Sequence, residues 1–85
     1  MQWSHIRQAH PHRWLLIEAL RAHSTRHERV LDDIAVLDTF DDSLVAFEHY
    51  RRLHRAEPER ELYVVHSSRE ALKIQESRWL GVRGG

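Results

Sequence analysis

The order of apolar and polar residues changes period several times along this chain, and each change predicts a new element. Trp3, Ile6 and His10 stand at helical spacing near the start. Pro11 follows them and disfavours helical backbone in the residue before it. Together these positions predict a short helix over about residues 3–10.

Two strands are predicted next. Residues 14–20 are apolar except for Glu18, which is typical of a strand that is buried on both faces. Residues 30–40 alternate between two faces and predict a second strand, antiparallel to the first. Residues 21–29 between them are polar and show no apolar period. We therefore expect residues 21–29 to form an exposed hairpin loop.

A long amphipathic helix is predicted over about residues 43–56. Asp41, Asp42 and Ser43 favour a helix start, because short polar side chains cap free amide groups and acidic groups suit the helix N-terminus. Five later side chains fall within about a third of a helical wheel. They are Ala46, Phe47, Tyr50, Leu53 and His54.

This helix is expected to bury Phe47, Tyr50 and Leu53 against the sheet. We expect Phe47→Ala to cost about 3–5 kcal/mol, enough to unfold so small a domain. The strand residues expected beneath the helix are Leu15, Ile17, Val36, Leu37 and Val64.

The last third of the chain predicts a second hairpin, with strands over residues 62–66 and 72–75. Residues 82–85 are expected to be a frayed tail behind a core of residues 13–80. The order α-β-β-α-β-β predicts an α+β fold with a single small domain over residues 1–85. In this fold a four-stranded sheet carries one long helix packed on one face.

Composition narrows the class of protein. A chain of 85 residues holds one core. Its mean hydropathy is −0.64, and no stretch approaches about 18 consecutive apolar residues. The first residues lack the apolar core of a signal peptide, so we expect a cytoplasmic protein without a membrane span. The chain has no cysteine, which excludes disulfides, thiolate catalysis and cysteine-bound zinc.

Charge is balanced overall but arranged in blocks. Thirteen Lys and Arg residues match thirteen Asp and Glu residues, and twelve of the cations are arginine. Residues 31–48 contain six acidic side chains and no Lys or Arg, whereas residues 1–30 and 49–60 are basic on balance. Such blocks favour complementary faces, within one molecule or between copies, over a single basic stripe.

The sequence contains no pattern that predicts a catalytic, cofactor-binding or metal-binding residue. Three glycines cannot form a phosphate-binding loop, and no HExxH motif occurs. His66 precedes Ser67, but adjacent strand residues point to opposite faces, so this pair is not expected to form a nucleophile and its base. We therefore expect a protein that is not an enzyme and that uses no cofactor.

Two kinds of binding surface are consistent with these residues. The first is an apolar surface for a protein partner, because tryptophan is enriched at interfaces. If one sheet face lacks a helix, a two-fold homodimer would bury this surface; alternatively, the N-terminal helix covers the face and closes a monomer. The candidate interaction residues are Trp3, Trp14, Leu16, Trp79 and Leu80.

The second surface is basic and lies on the long helix. Arg51, Arg52 and Arg55 are predicted to face solvent, where they can contact phosphates of a nucleic acid. The zero net charge argues against this alternative. A protein-interaction or regulatory module is the favoured function, and a nucleic-acid-binding protein is the alternative.

Five segments also resemble a family of small bacterial α/β proteins with no established activity. They are W-L-L-I-E-A at 14–19, A-V-L-D-T-F-D-D at 35–42, Y-R-R-L-H-R at 50–55, R-E-L-Y-V-V-H-S-S-R-E at 60–70 and W-L-G-V-R at 79–83. The resemblance implies an association with retropepsin-like aspartic proteases. This chain lacks the Asp-Thr/Ser-Gly motif of such a protease, so the resemblance implies the role of its partner.

Overall fold

The architecture comes from a computed structural model, which describes residues 1–75. The elements are α1 (Trp3–Ala9), β1 (Trp14–Ser24), β2 (Glu28–Phe40), α2 (Ser43–Ala56), β3 (Leu62–His66) and β4 (Ile74–Gln75). Three antiparallel strands form the body of the sheet in the order β3-β1-β2, and a short β4 follows at the outer edge of β2. No helix within the described range is long and apolar enough to cross a membrane.

The predicted four-stranded sheet with one long helix packed on one face is wrong. The body of the sheet has three strands, because β4 is two residues long and pairs only with Glu28 and Arg29. Residues 1–75 also form two helices, which pack on opposite faces of the sheet. The N-terminal helix takes part in the core because Ile6 is completely buried there.

The predicted loop over residues 21–29 is also wrong. β1 continues to Ser24 and β2 begins at Glu28, so only residues 25–27 form the turn. The backbone amide of Thr25 donates to the carbonyl oxygen of Glu28 at 2.8 Å and closes this turn. Polar side chains are compatible with a strand here, because an antiparallel ribbon makes its ladder with backbone groups and can expose its side chains to water.

The core of the described part of the chain consists of two buried clusters, one on each face of the sheet. Successive strand residues point to opposite faces, so the apolar run at the start of β1 contributes to both clusters. The α1 cluster contains Ile6, Leu15, Ile17, Ile34 and Val65. The α2 cluster contains Leu16, Phe40, Ala46 and Leu62.

The expected contacts of the long helix are therefore correct only in part. Leu37 and Val64 pack in the α2 cluster, as expected. Leu15, Ile17 and Val36 instead pack beneath α1. The reason is the strand alternation: once Leu16 lies beneath α2, its two neighbours must face the other helix.

The expectation that Phe47 is buried is wrong. Its exposed fraction is 42%, whereas the neighbouring Ala46 is fully buried. Tyr50 and Leu53 are half-buried and pack against the α2 cluster. The small Ala46 side chain points at the sheet and lets α2 approach closely, and Phe47, about 100° further around the helix, is left at the edge of the contact.

Two bidentate ion pairs fasten the segment before β3 to the β1–β2 hairpin. Arg60 donates to both carboxylate oxygens of Glu18, at 3.0 and 2.5 Å. Arg29 donates to both oxygens of Glu61, at 2.8 and 2.9 Å. Hydrogen bonds from these guanidinium groups lower the pKa of Glu18 and the pKa of Glu61 below their usual range, against the opposing effect of desolvation.

Candidate interaction surface

The outward side of α2 presents a contiguous stripe of apolar and charged side chains. The helix begins after Asp42, whose carboxylate accepts a hydrogen bond from the Leu44 amide at 2.9 Å. At about 100° per residue, five side chains then fall within roughly a quarter to a third of the helix circumference, away from the sheet. We call this stripe the α2 outer face; its members are Leu44, Phe47, Glu48, Arg51 and Arg55.

Large apolar side chains are concentrated at the start of this helix. Leu44 is 75% exposed, Phe47 is 42% exposed and Val45 is 41% exposed. Within residues 1–75 the other exposed large apolar side chains are Met1 and Leu20. Single exposed apolar residues are normal on a protein surface. Leu44 and Phe47, however, lie about 60° apart on the helical wheel and form an apolar patch on the α2 outer face, whereas Val45 lies on the opposite flank, about 160° from Phe47.

Phe47 is held in a row of rings along one flank of α2. Its ring meets that of Tyr50 edge to face, with centroids 6.5 Å apart and an angle of 84° between the planes. The Tyr50 ring is stacked on that of His54 at 5.5 Å and 6°. These contacts restrict the Phe47 rotamer, so less side-chain entropy is lost when a partner covers it.

The α2 outer face is electrically asymmetric along its length. Asp41, Asp42 and Glu48 lie in or just before its first half, and Arg51 and Arg55 lie in its second half. Glu48, Arg51 and Arg55 are exposed, and none of them forms an ion pair with another residue of the described range. Their charges are therefore available to a binding partner.

All three predicted phosphate-contacting arginines are exposed on α2. At about 100° per residue they span roughly 100° of the helix circumference, with Arg55 between Arg51 and Arg52. Arg51 and Arg55 belong to the α2 outer face, and Arg52 also lines a groove that contains Asp38. The arginines expected to contact a nucleic acid therefore lie on one side of the helix, and the Glu48 carboxylate lies within one turn of Arg51 and Arg52.

The groove beside Arg52 runs between α2 and β2 and has a volume of about 350 Å³. Its lining is mostly apolar, and its polar side chains are those of Asp38, Arg52 and His49. The His49 ring contacts that of Phe40, with centroids 4.9 Å apart. The groove is lined by Leu16, Leu37, Asp38, His49, Arg52, Leu53 and Ala56.

The tryptophan-centred interaction surface is not assembled among the described residues. Leu16 is only 3% exposed because α2 covers it. Trp14 packs on the same side of the sheet and meets the His66 ring at 5.0 Å. Trp3 belongs to α1 on the other side, where its indole donates to the Arg69 carbonyl at 2.9 Å. Trp79 and Leu80 lie outside the described residues, as does the expected tail at 82–85.

The serines after β3 form a hydrogen-bonded turn. The hydroxyl of Ser67, a residue only 3% exposed, accepts the Arg13 amide at 3.0 Å. The Nδ1 atom of His66 lies 2.8 Å from the Ser68 hydroxyl and accepts the Ser68 amide at 3.1 Å. Residues 1–75 contain no group of three side chains that could hold a metal ion.

Our sequence reasoning missed Leu44 and Val45 as surface residues. The signal was present in the spacing, because Leu44 lies about 200° from Ala46 on a helical wheel and cannot face the same core. The exposure of Phe47 had no such signal, since its angle is compatible with either the edge or the centre of the buried face.

Comparisons with known proteins assign this chain to no family. No protein-family model, no curated protein and no solved structure matches it.

Proposed function

We propose that this protein is a non-catalytic interaction module that binds a protein partner on the α2 outer face. The observation that carries this proposal is the apolar patch of Leu44 and Phe47 on the outward side of a helix whose other side is packed on the sheet. Exposure of these apolar side chains to water contributes nothing to the stability or the solubility of the free protein. A partner that covers them gains roughly 25 cal/mol for each Å² of apolar surface removed from water.

The chemistry of the face indicates the kind of partner. Leu44 and Phe47 form the apolar end of this face, and Glu48, Arg51 and Arg55 continue it along the helix with both signs of charge. Protein interfaces combine apolar and charged groups in this way. The complementary surface is therefore an amphipathic segment with its own mixed charges rather than a uniformly acidic polymer.

The same reasoning makes a nucleic acid the weaker candidate. The three arginines share an exposed side of α2 with the Glu48 carboxylate, which lies one turn before Arg51 and Arg52. A phosphate backbone would be repelled by Glu48 and would leave Leu44 uncovered. The resemblance to the small bacterial family implies a retropepsin-like aspartic protease as partner, and this protease is the first protein to test.

Photocrosslinking from position 47, carried out in cells of the organism that produces the protein, tests the proposal. We expect a photoreactive amino acid at position 47 to crosslink to a defined protein on illumination. The same amino acid at position 26, an exposed site at the tip of the hairpin, should crosslink to none. Adding Leu44→Asp to the position-47 variant should abolish the product. Because Leu44 is exposed, thermal unfolding of this variant should be unchanged within a few degrees.

Two results would contradict the proposed function. One is a set of products that is the same from positions 47 and 26. The other is attachment to nucleic acid in place of protein, accompanied by binding that weakens steeply with salt and disappears in Arg51→Ala/Arg55→Ala. Neutralising two phosphates corresponds to a slope of about −2 in a plot of log K against log salt.

A further inference from the structure

We propose that the α2 outer face binds a second copy of this chain, through an antiparallel contact between the two α2 helices about a two-fold axis. This inference rests on the proposed function, because it uses the same surface, and it adds the identity of the partner. The surface is exposed, apolar at the start of the helix and complementary to itself in charge.

Charge complementarity selects both the partner and its direction. Within α2, Glu48 is the one carboxylate, and Arg51, Arg52 and Arg55 follow it. Asp41 and Asp42 precede the helix, where Asp41 pairs with Arg13 and Asp42 caps the first turn. A parallel pair of helices would place like charges together. An antiparallel pair places Glu48 of each helix against the arginines of the other, and two-fold symmetry repeats every favourable contact.

The two exposed charges nearest the middle of α2 define a register. If Glu48 faces Arg51 of the partner subunit, the two-fold axis passes between positions 49 and 50, and the same ion pair forms twice. Leu44 then lies opposite Arg55 of the partner subunit, whose aliphatic stem can cover it. Phe47 lies beside the partner's arginines, which can stack on its ring.

The size of the surface sets the expected affinity. A 14-residue helix is about 21 Å long, so one pair of helices buries less than the roughly 1,600 Å² of a standard interface. The formal charge of the chain is zero, so no long-range repulsion opposes the contact. We therefore expect a reversible dimer that forms at micromolar or higher concentration.

Charge-swap variants studied by sedimentation velocity test this arrangement. Glu48→Arg places two arginines opposite each other in a homodimer, and Arg51→Glu places two glutamates opposite each other. Each variant alone should sediment as a monomer at concentrations where the natural chain is dimeric. An equimolar mixture should dimerise, because both arginines of the Glu48→Arg variant then face the two glutamates of the Arg51→Glu variant, one pair on each side of the axis.

A matched pair of swaps away from α2 is the control. Glu59→Arg and Arg26→Glu are exposed changes of the same kind, and each should dimerise like the natural chain. The arrangement is overturned if the natural chain stays monomeric up to about millimolar concentration. It is also overturned if the two α2 variants dimerise alone, or if their mixture does not dimerise.

Crosslinking at position 47 and sedimentation velocity together distinguish a failure of the second-copy proposal from a failure of the proposed function. If position 47 attaches to a different protein while the natural chain sediments as a monomer, the second-copy proposal is wrong and the proposed function stands. If position 47 attaches to no protein and the chain is monomeric, both are wrong.

Discussion

At the scale of single residues, Ile6 and Phe47 show how position decides the energetic role of a large apolar side chain. Ile6 is completely buried beneath the sheet, whereas Phe47 keeps 42% of its surface in water. Truncating a buried Ile leaves a cavity that the surrounding side chains cannot fill, and truncating an exposed Phe leaves none. Ile6 therefore holds α1 in place, and Phe47 contributes mainly to the surface.

We predict that Ile6→Ala lowers the free energy of unfolding by about 2–5 kcal/mol and that Phe47→Ala lowers it by about 1 kcal/mol or less. Urea unfolding followed by circular dichroism at a concentration too low for self-association measures both. Equal losses for the two variants, or a larger loss for Phe47→Ala, would contradict the assignment of Phe47 to the surface.

The Glu18–Arg60 pair predicts how stability depends on pH. Hydrogen bonds from Arg60 lower the pKa of Glu18 in the folded state. A carboxyl group with a lowered pKa stabilises the fold above its unfolded pKa, near 4.5, and loses this contribution as the pH falls through the folded value.

We therefore expect Glu18→Gln to lower the melting temperature at pH 7 and to have a steadily smaller effect below about pH 4.5. Thermal unfolding of the variant and the natural chain between pH 7 and pH 3 measures the difference. The matched control is Glu59→Gln, an exposed carboxylate, which should change little at any pH. A deficit in Glu18→Gln that is the same at pH 7 and pH 3 would rule out the ion pair as its cause.

At the scale of elements, the local sequence predicted where some helices and strands begin and end, and it did not predict others. The helix over Ser43–Ala56 and the strand over Leu62–His66 were predicted and are confirmed, because each has a strong local signal: a capping residue for the helix and a short apolar run for the strand. The continuation of the hairpin through residues 21–29 has no such signal. It depends on backbone pairing with a partner strand, which side-chain polarity does not reveal.

The candidate surface was predictable only in part for a related reason. A helical wheel gives the angles between residues, so Leu44 could be placed opposite Ala46 from the sequence. It does not give the rotation of the helix about its axis. That rotation is set by tertiary packing, which buries Ala46 in the α2 cluster together with Leu16, and it leaves Phe47 at the edge.

At the scale of the whole molecule, β1 connects the two cores and also extends beyond them. Its first five residues, 14–18, pair with β2 on one side and β3 on the other. Residues 21–24 pair with β2 alone. The molecule measures 38 × 26 × 19 Å. Over residues 14–18, β1 therefore has a helix on each face and a strand on each side, and over residues 21–24 it has only β2 beside it. On the far side of β2, the two-residue β4 pairs with Glu28 and Arg29.

This division predicts a gradient of local stability along one continuous strand. Residues 21–24 pair with β2 alone, and β4 adds only two residues at this end of the sheet. Such a narrow part of a sheet is only marginally stable in water, so residues 21–24 can open without disrupting either buried cluster, whereas the amides of residues 14–18 become free only when the whole domain unfolds. We expect hydrogen exchange, measured by NMR at neutral pH, to be slowest for the hydrogen-bonded amides of residues 14–18. The hydrogen-bonded amides of residues 21–24 should exchange at least about tenfold faster, since a difference of about 1.4 kcal/mol in opening free energy suffices for that factor.

Replacing Arg29 with Gln tests the same division from the side of β2. The substitution removes the bidentate bond to Glu61 that ties the outer part of the hairpin to the segment before β3. It should increase exchange in residues 21–24 while leaving residues 14–18 unchanged. Uniform protection along β1, or an equal effect of this substitution on both parts, would mean that the hairpin opens as one unit.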